Sequence, residues 1–262
     1  MKKTLAMILA LVMLLALSVP CFAEEEENTV KSGILKLNGE RSLTFPGFEM
    51  IEFDDLNTML LALQSGKIDE MCSLPKVVAD YIANHNDNMV SVEPDTRVGT
   101  IYLAMAVLKD NTELLDLLNS AIEELKENGT LEKLEEEYID AYLENGEDPQ
   151  PIEMPKFDGA ETIRVAVTGD LPPIDFIAAD GTPAGFNVAL LAEIAKLKGV
   201  NIELVSVTSG SRMINLTQEK ADAIFYATHS KVNEELITAD IPDSLAVTVP
   251  YFEDAKAEVE MK

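Results

Sequence analysis

Side chains suited to holding a small polar molecule occur in four segments, each at or just after a predicted β-strand. These are the turn 168–175, the loop 209–212 and the strand ends 226–231 and 71–75. Ligands in open α/β sheets bind beyond the carboxyl ends of the strands. The hydroxyl, carboxylate and guanidinium groups of these segments can form hydrogen bonds and ion pairs. Their placement therefore indicates a binding cleft.

Signatures of catalysis or of metal binding are not found in the sequence. Histidine occurs twice, as His85 in a polar loop and as His229 at a strand end, where we count it as a candidate ligand contact. Neither has the spacing to Cys, Asp or Glu that a zinc site needs. There is no G-x-S-x-G and no phosphate-binding glycine loop. We expect a non-catalytic protein with no cofactor and no metal.

The elements that position these segments alternate between strands and helices. Apolar runs predict strands within 35–53 and at 68–73, 98–107, 163–167, 202–207, 223–227 and 245–249. Helical spacing predicts helices at 56–64, 75–83, 186–197 and 213–218, and a longer one at 111–142 that is split at Asn128-Gly129. Alternation of this kind is typical of an α/β fold with a mostly parallel core.

The order of these signals resembles a known family. Residues 163–252 contain IRVAVTGDLPPIDF, GFNVALL and INLTQEKADAIFYATHSK, and resemble the first lobe of the family 3 solute-binding proteins. These are the extracytoplasmic receptors of amino-acid ABC importers. The segments LNTMLLALQSGKIDEM and IYLAMAVLKDNTELLDLLNSAIEELKENGTL resemble the second lobe and the terminal helices of the same family.

The two resemblances occur in the reverse of the family's order. We interpret this as a circular permutation of a two-lobed periplasmic-binding-protein-like fold with mixed, mostly parallel sheets. The alternative is a fragment of a tandem array. The predicted segments are a signal peptide 1–23, a disordered leader 24–33, lobe two with the terminal helices 34–143, a linker 144–160, lobe one 161–254 and a tail 255–262.

The resemblance also implies which positions would contact a ligand. The family's acid at the strand end corresponds to Thr168, and its stacking aromatic to Leu171. The Phe after the prolines corresponds to Ile174, and the lobe-two acid falls near Ser73 or Leu74. The helix start keeps Gly185-Phe186 but has Asn187 and Ala189 at the two Asp positions. The threonine pair corresponds to Thr228 and Ser230, and the carboxylate-binding arginine to Asn233.

A zwitterionic ligand needs a fixed cation and a fixed anion, which these positions do not supply. Arg212 or Lys231 could replace the arginine, and Asp170 or Asp175 the acid; alternatively, both cations are solvated and Asp170 caps a turn. The candidate ligand-binding residues are Thr168, Asp170, Leu171, Ile174, Arg212, Tyr226, Thr228, His229, Ser230 and Ser73.

The N-terminus predicts export. Lys2 and Lys3 precede an apolar run, and Cys-Phe-Ala before Glu24 is suited to signal-peptide cleavage near Ala23. A membrane anchor and a lipid on Cys21 are the alternatives. Cleavage would leave Cys72 as the sole cysteine, so no internal disulfide is expected.

The net charge disfavours two classes of partner. The formal net charge is −27 and the pI is about 4.2. Nucleic acid and anionic membranes are therefore disfavoured, because both bind clustered Lys and Arg.

These observations predict an exported receptor that captures a small polar solute, an amino acid or a related molecule, for a membrane ABC permease. The alternatives are a degenerate, non-transporting sensory module of the same fold that contacts a protein partner, and an enzyme of this fold. The chain could act as a monomer or as a domain-swapped dimer.

Overall fold

Strands and helices alternate along most of the chain, as the sequence predicts. The computed structural model describes residues 29–36, 47–93, 99–146, 151–178, 180–232, 235–238 and 242–262, without the side chains of 226–232 and 235–238. The predicted signal peptide 1–23, the pair Asn38-Gly39 and the position Asn233 lie outside the described residues.

The strands range from two to ten residues in length. They are β1 (Val30–Leu35), β2 (Phe48–Phe53), β3 (Glu70–Pro75), β4 (Met89–Val92), β5 (Thr100–Leu108), β6 (Thr162–Val167), β7 (Asp170–Leu171), β8 (Asp175–Ile177), β9 (Pro183–Ala184), β10 (Asn201–Ser206), β11 (Ala223–Val232), β12 (Glu235–Thr238), β13 (Leu245–Val247) and β14 (Phe252–Met261).

The helices include one long amphipathic element and one central, nearly fully buried element. They are α1 (Leu56–Gln64), α2 (Lys76–Asn84), α3 (Thr112–Glu127), α4 (Thr130–Glu135), α5 (Ala141–Asn145), α6 (Phe186–Lys198) and α7 (Arg212–Thr217). A π-helical turn, Glu136–Asp140, joins α4 to α5, and a 3-10 turn, Ser209–Ser211, precedes α7. No helix within the described ranges combines the length and apolar character needed to cross a bilayer.

The main sheet has the strand order β10-β6-β11-β5-β14-β3-β1-β2. Its two ends are parallel, since β6 pairs in parallel with β10 and β11, and β1 pairs in parallel with β2 and β3. The middle is antiparallel, where β5 pairs with β11 and β14, and β14 pairs with β3. The predicted mixed α/β fold is therefore confirmed.

Strand β14 joins two groups of strands. Residues 252–255 pair with β5, whereas residues 256–261 pair with β3 and β4. We call β1–β4 with residues 256–261 the front sheet. We call β5, β6 and β10–β13 with residues 252–255 the back sheet. One continuous strand thus connects the two sheets. Each sheet, together with the helices that pack on it, is called the front half or the back half of the molecule.

The predicted lobe-two and lobe-one segments do not coincide with the front and back sheets. Strand β5 belongs to the predicted lobe-two segment but lies in the back sheet, beside β11. Helix α3 buries Leu114, Leu118 and Ile122 and packs against α6, again on the back half. The back sheet therefore contains strands from both parts of the sequence. The swapped lobe order itself stays an interpretation.

Both ends of the described chain differ from the sequence prediction. The leader was expected to extend to residue 33, but β1 begins at Val30 and pairs with β2 and β3. The tail was expected at 255–262, but these residues lie largely within β14. In β14, buried Ala257 and Val259 lie next to Glu258 and Glu260, and these acids hide the apolar pattern of the strand.

One further expectation from the sequence is wrong. The pair Asn38-Gly39 is a hairpin signal and predicts antiparallel neighbours, but β1 and β2 are parallel, from Val30 opposite Phe48 to Leu35 opposite Phe53. Parallel strands need a crossover connection rather than a tight hairpin.

Candidate functional site

A cleft of about 480 Å³ lies between α1 of the front half and the strand ends of the back half. Its front wall is the start of α1, and its back wall is formed by the turn after β6 and the segment after β10. The lining residues are Asp55, Leu56, Asn57, Thr168, Gly169, Asp170, Pro172, Phe176, Ile177, Val207 and Thr208.

The back wall is held by a buried carboxylate. Asp175 accepts hydrogen bonds from the Thr168 N–H at 3.0 Å, the Thr168 hydroxyl at 3.1 Å and the Gly169 N–H at 2.9 Å. Its side chain is 2% exposed. Both oxygens are thus engaged within the turn, so Asp175 shapes the wall from behind rather than facing a ligand.

Burial raises the pKa of Asp175 to about 6. The neighbouring Asp170 raises it further, while the hydrogen bonds from Thr168 and Gly169 oppose the shift. A carboxyl group removed from water prefers its neutral form. The charge on this turn therefore changes near pH 6.

Gly185 allows the turn to pack against the start of α6. Its φ is +93° with ψ −179°, and a Cβ there would lie 2.5 Å from the Pro173 carbonyl oxygen. The Phe186 N–H donates to Pro173 O at 3.2 Å, and the Asn187 N–H donates to Ile174 O at 2.8 Å. The turn thereby satisfies donors that a helix start leaves open.

The front wall is a capped helix end. Asp55 is the N-cap of α1 and accepts hydrogen bonds from the Thr58 N–H and the Thr58 hydroxyl, both at 2.8 Å. An Asp at this position satisfies first-turn N–H groups and interacts favourably with the positive helix end. The sequence Asp54-Asp55-Leu56 therefore fixes where α1 begins.

Hydrogen bonds connect the back wall of the cleft to the front wall. Asp170 accepts the Leu56 N–H of α1 at 3.2 Å and the Ser209 hydroxyl at 3.2 Å. The Gly210 N–H donates to Asp54 O at 3.4 Å. Asp170 is 9% exposed, so this carboxylate links the two halves in a largely dry setting.

Aromatic rings meet next to the cleft as well. Tyr81 of α2 and Phe176 of β8 have ring centroids 6.5 Å apart. Tyr81 is buried and also stacks on His85, with centroids 4.0 Å apart. His85, which the sequence places in a polar segment, is exposed at the end of α2 and lies against the Tyr81 ring.

The structure brings two of the predicted ligand residues to the cleft wall, Thr168 and Asp170. Leu171 and Ile174 are 8% and 1% exposed and belong to the hydrophobic core. Ser73 lies on β3 with φ +59°, opposite an irregularity in β14. Core packing thus takes up two positions where the family resemblance implies ligand contacts.

Arg212, the predicted substitute cation, lies inside the back half. It is 3% exposed, and its Nη1 donates to Phe225 O at 2.9 Å. The expectation of a solvated Arg212 is therefore wrong, and the described lining does not include this residue.

Tyr226, Thr228, His229 and Ser230 lie on β11, where their side chains are outside the described part. The β5–β11 register shifts between Ala227 and His229. Their contacts with a ligand stay a prediction.

Sequence reasoning missed the whole front wall. The start of α1 was predicted as a helix but not as a ligand-facing element. The available signal was Asp55 one residue before an apolar helical pattern, because Asp is a preferred N-cap. Phe176, Val207 and Thr208 were missed because their positions depend on how the turn folds back.

Carboxylates that approach one another closely lie away from the cleft. Oxygen atoms of Glu70, Glu258 and Glu260 lie within 4.8 Å of one another on β3 and β14, and the Ser32 hydroxyl donates to Glu70. Oxygen donors of this kind suit hard cations such as Ca²⁺ or Mg²⁺. Acidic residues alone do not define such a site.

Comparison with known proteins finds a family match over the segment that forms the back wall. Residues 163–240 match the bacterial extracellular solute-binding proteins, family 3. The chain is also 26% identical over 111 residues to the glutamate-binding protein GluB of Corynebacterium efficiens. That similarity covers 41% of this chain and 36% of GluB, so the chain spans about a third of that relative's length.

Solved structures give weaker likenesses. The ligand-binding component of an ABC-type import system from Staphylococcus aureus, solved with zinc bound, has a TM-score of 0.42 at 9% identity, covering 88% of this chain and 65% of that one. The GluR0 ligand-binding core in complex with L-glutamate has a TM-score of 0.39 at 11% identity, covering 89% and 85%. Both TM-scores are below 0.5, so these likenesses carry no weight for ligand or function.

The sequence resemblance is thereby confirmed where it is most specific, and residues 163–240 carry the signature of the family 3 extracellular solute-binding proteins.

Proposed function

We propose that this protein is an exported, non-catalytic receptor that binds a small solute in the cleft between α1 and the turn 168–177. The observation that supports this best is the cleft itself. Its volume is about 480 Å³, and its two walls come from different halves of the chain. Pockets of a few hundred Å³ with a small number of polar groups are suited to small ligands.

The connection between the halves favours capture by closure. Strand β14 runs from one sheet into the other, and Asp170 and Gly210 contact the start of α1 from the opposite wall. A solute in the cleft would contact both halves at once. Binding would therefore stabilise the closed arrangement relative to an open one.

Delivery to a membrane importer completes the proposal. The matched family is extracellular, and the N-terminal residues have the pattern of an export signal. We propose an ABC permease as the partner that receives the solute. No nucleic-acid partner is proposed, because the net charge of −27 opposes phosphate binding.

Thermal unfolding with a solute panel tests the receptor function. The panel contains the amino acids, short peptides, amines, sugars and small organic acids. A solute at a hundred times its dissociation constant stabilises the folded state by about 2.7 kcal/mol, so the melting temperature should rise by several degrees. Absence of any shift across the panel, for a sample shown to be folded by circular dichroism, would contradict the proposal.

A module that contacts a protein partner is the second candidate. The observation that favours it is the burial of Leu171, Ile174 and Ala189, which occupy positions implied to face a ligand. Their side chains contribute to the core instead. A folded protein that ignores the whole solute panel is the result that would favour this module over the receptor.

A further inference from the structure

We infer that the cleft selects a small organic cation that lacks a carboxylate, an amine rather than an amino acid. This inference rests on the proposed receptor function and specifies its ligand class. It is carried by three features of the cleft: the state of the helix end in its front wall, the charges that line it, and its apolar surface.

The helix end that would normally attract an anion is already occupied. The N-terminus of a helix binds carboxylates through its open N–H groups. In α1, the Leu56 N–H donates to Asp170 and the Thr58 N–H donates to Asp55. Two carboxylates of the chain itself therefore fill the positions that a ligand carboxylate would use.

The charges in the lining have one sign. Its described residues include Asp55 and Asp170 but no lysine or arginine. Among nearby cations, Arg212 is directed at Phe225 O, and Lys36 pairs with Asp54 at 3.4 Å. A ligand carboxylate here would lose water beside like charges, whereas an ammonium would gain charge-assisted hydrogen bonds.

The rest of the lining suits a short hydrocarbon stem. Leu56, Pro172, Phe176, Ile177 and Val207 provide apolar surface next to the two acids. An aromatic ring such as Phe176 also attracts a cation placed over its face. An ammonium group on a small apolar body therefore matches both kinds of surface.

Matched pairs of ligands test this inference. Each amine is compared with the amino acid that differs from it by one carboxylate: pentylamine with norleucine, cadaverine with lysine, and phenethylamine with phenylalanine. Isothermal titration of the mature protein should give tighter binding of at least one amine than of its amino acid, by about tenfold or more. Equal or tighter binding of the amino acid in every pair that binds would overturn the inference and leave the receptor function standing.

Failure of all three pairs would also overturn the inference. The receptor function is judged separately on the wider solute panel, because sugars, peptides and acids are tested there. If a carboxylate-bearing solute binds in that panel and the amines do not bind, the protein is a receptor of a different specificity.

Removing the charge of Asp55 tests whether the amine binds next to this side chain. Asn caps helices about as well as Asp, so Asp55→Asn keeps α1 capped and removes one negative charge from the lining. Amine affinity should fall roughly fivefold, in line with a partly exposed ion pair. The control is Asp116→Asn on α3, an exposed acid outside the lining. Equal affinities in the two variants would contradict the assigned position.

Discussion

The two walls of the cleft are built in different ways. The back wall is fixed by its own half, because Asp175 holds Thr168 and Gly169, and the turn carbonyls cap α6 next to Gly185. The front wall is a single helix end that Asp55 caps. Hydrogen bonds that reach it from the opposite wall include those of Asp170 and Gly210.

This difference shows that similar residues serve different purposes according to their surroundings. Asp175 is internal and supports the turn, Asp170 links the halves, and Asp55 caps a helix at the cleft edge. Loss of a back-wall contact should therefore unfold the turn and the core beneath it. Loss of a front-wall contact should act locally.

Gly185→Ala should have the largest effect. The added Cβ would meet the Pro173 and Ile174 carbonyl oxygens at 2.5 and 2.9 Å, in a backbone conformation that is nearly exclusive to glycine. We expect a loss of about 4 kcal/mol in the free energy of unfolding, measured by urea denaturation.

Gly181→Ala is the matched control for this variant. Gly181 also has a positive φ, +85°, but a Cβ there has no neighbour within 4 Å. It should lose about 1 kcal/mol from the backbone conformation alone. Equal losses in the two variants would show that packing of the turn against α6 contributes nothing.

Acidification should stabilise the back wall through Asp175. Its pKa is about 6 in the folded protein, against 3.8 without the surrounding structure. The folded state therefore binds the proton more tightly, and the contribution to stability is complete below pH 3.8 and is lost as pH rises through 6. The total is about 3 kcal/mol.

The measurement compares the wild type with Asp175→Asn between pH 7.5 and pH 4.5. Other acids titrate over the same range, so the informative quantity is the difference between the two proteins. The wild type should gain stability relative to the variant as the pH falls. Parallel curves would show that Asp175 titrates as an ordinary surface acid does.

Asp170→Ala should open the contact between the walls. It leaves the Leu56 N–H without its side-chain acceptor, which costs about 2 kcal/mol for a buried donor. Hydrogen exchange of the Leu56 amide should accelerate, whereas that of Thr58, held by Asp55, should not change. Acceleration of both amides to the same extent would mean that α1 frays as a whole and that Asp170 has no separate role.

The strands and helices of the back half were largely predictable from sequence. Apolar runs and helical spacing located β6, α6 and β10 to within one residue at each end. These elements are buried, so their hydrophobic pattern matches their structure. Strand β14 was missed because its joining role places Glu253, Asp254 and Glu258 among its residues, which suggests a solvated tail.

The site was predictable only where its residues lie close together in the sequence. The turn 168–175 follows directly from β6, so Thr168 and Asp170 could be placed at the cleft. The front wall depends on α1 approaching from about a hundred residues earlier in the sequence, as the Leu56–Asp170 hydrogen bond shows. No spacing rule encodes that contact. Burial of Arg212 was equally hidden, because Phe225 O, its acceptor, lies on another element.

Replacing Asp55 should have the smallest effect on stability. Asp55→Ala removes the acceptor of the Thr58 N–H and the charge at the positive end of α1, which should cost about 1 kcal/mol. Asp55→Asn keeps the acceptor and should cost only a few tenths of a kcal/mol, since Asn and Asp are similar N-caps. Urea denaturation of both variants measures the difference. A loss from Asp55→Ala as large as that from Gly185→Ala would mean that the front wall, like the back wall, is integral to the core. Because Asp55 is only partly buried at the cleft edge, we expect Asp55→Ala to cost clearly less stability than Gly185→Ala.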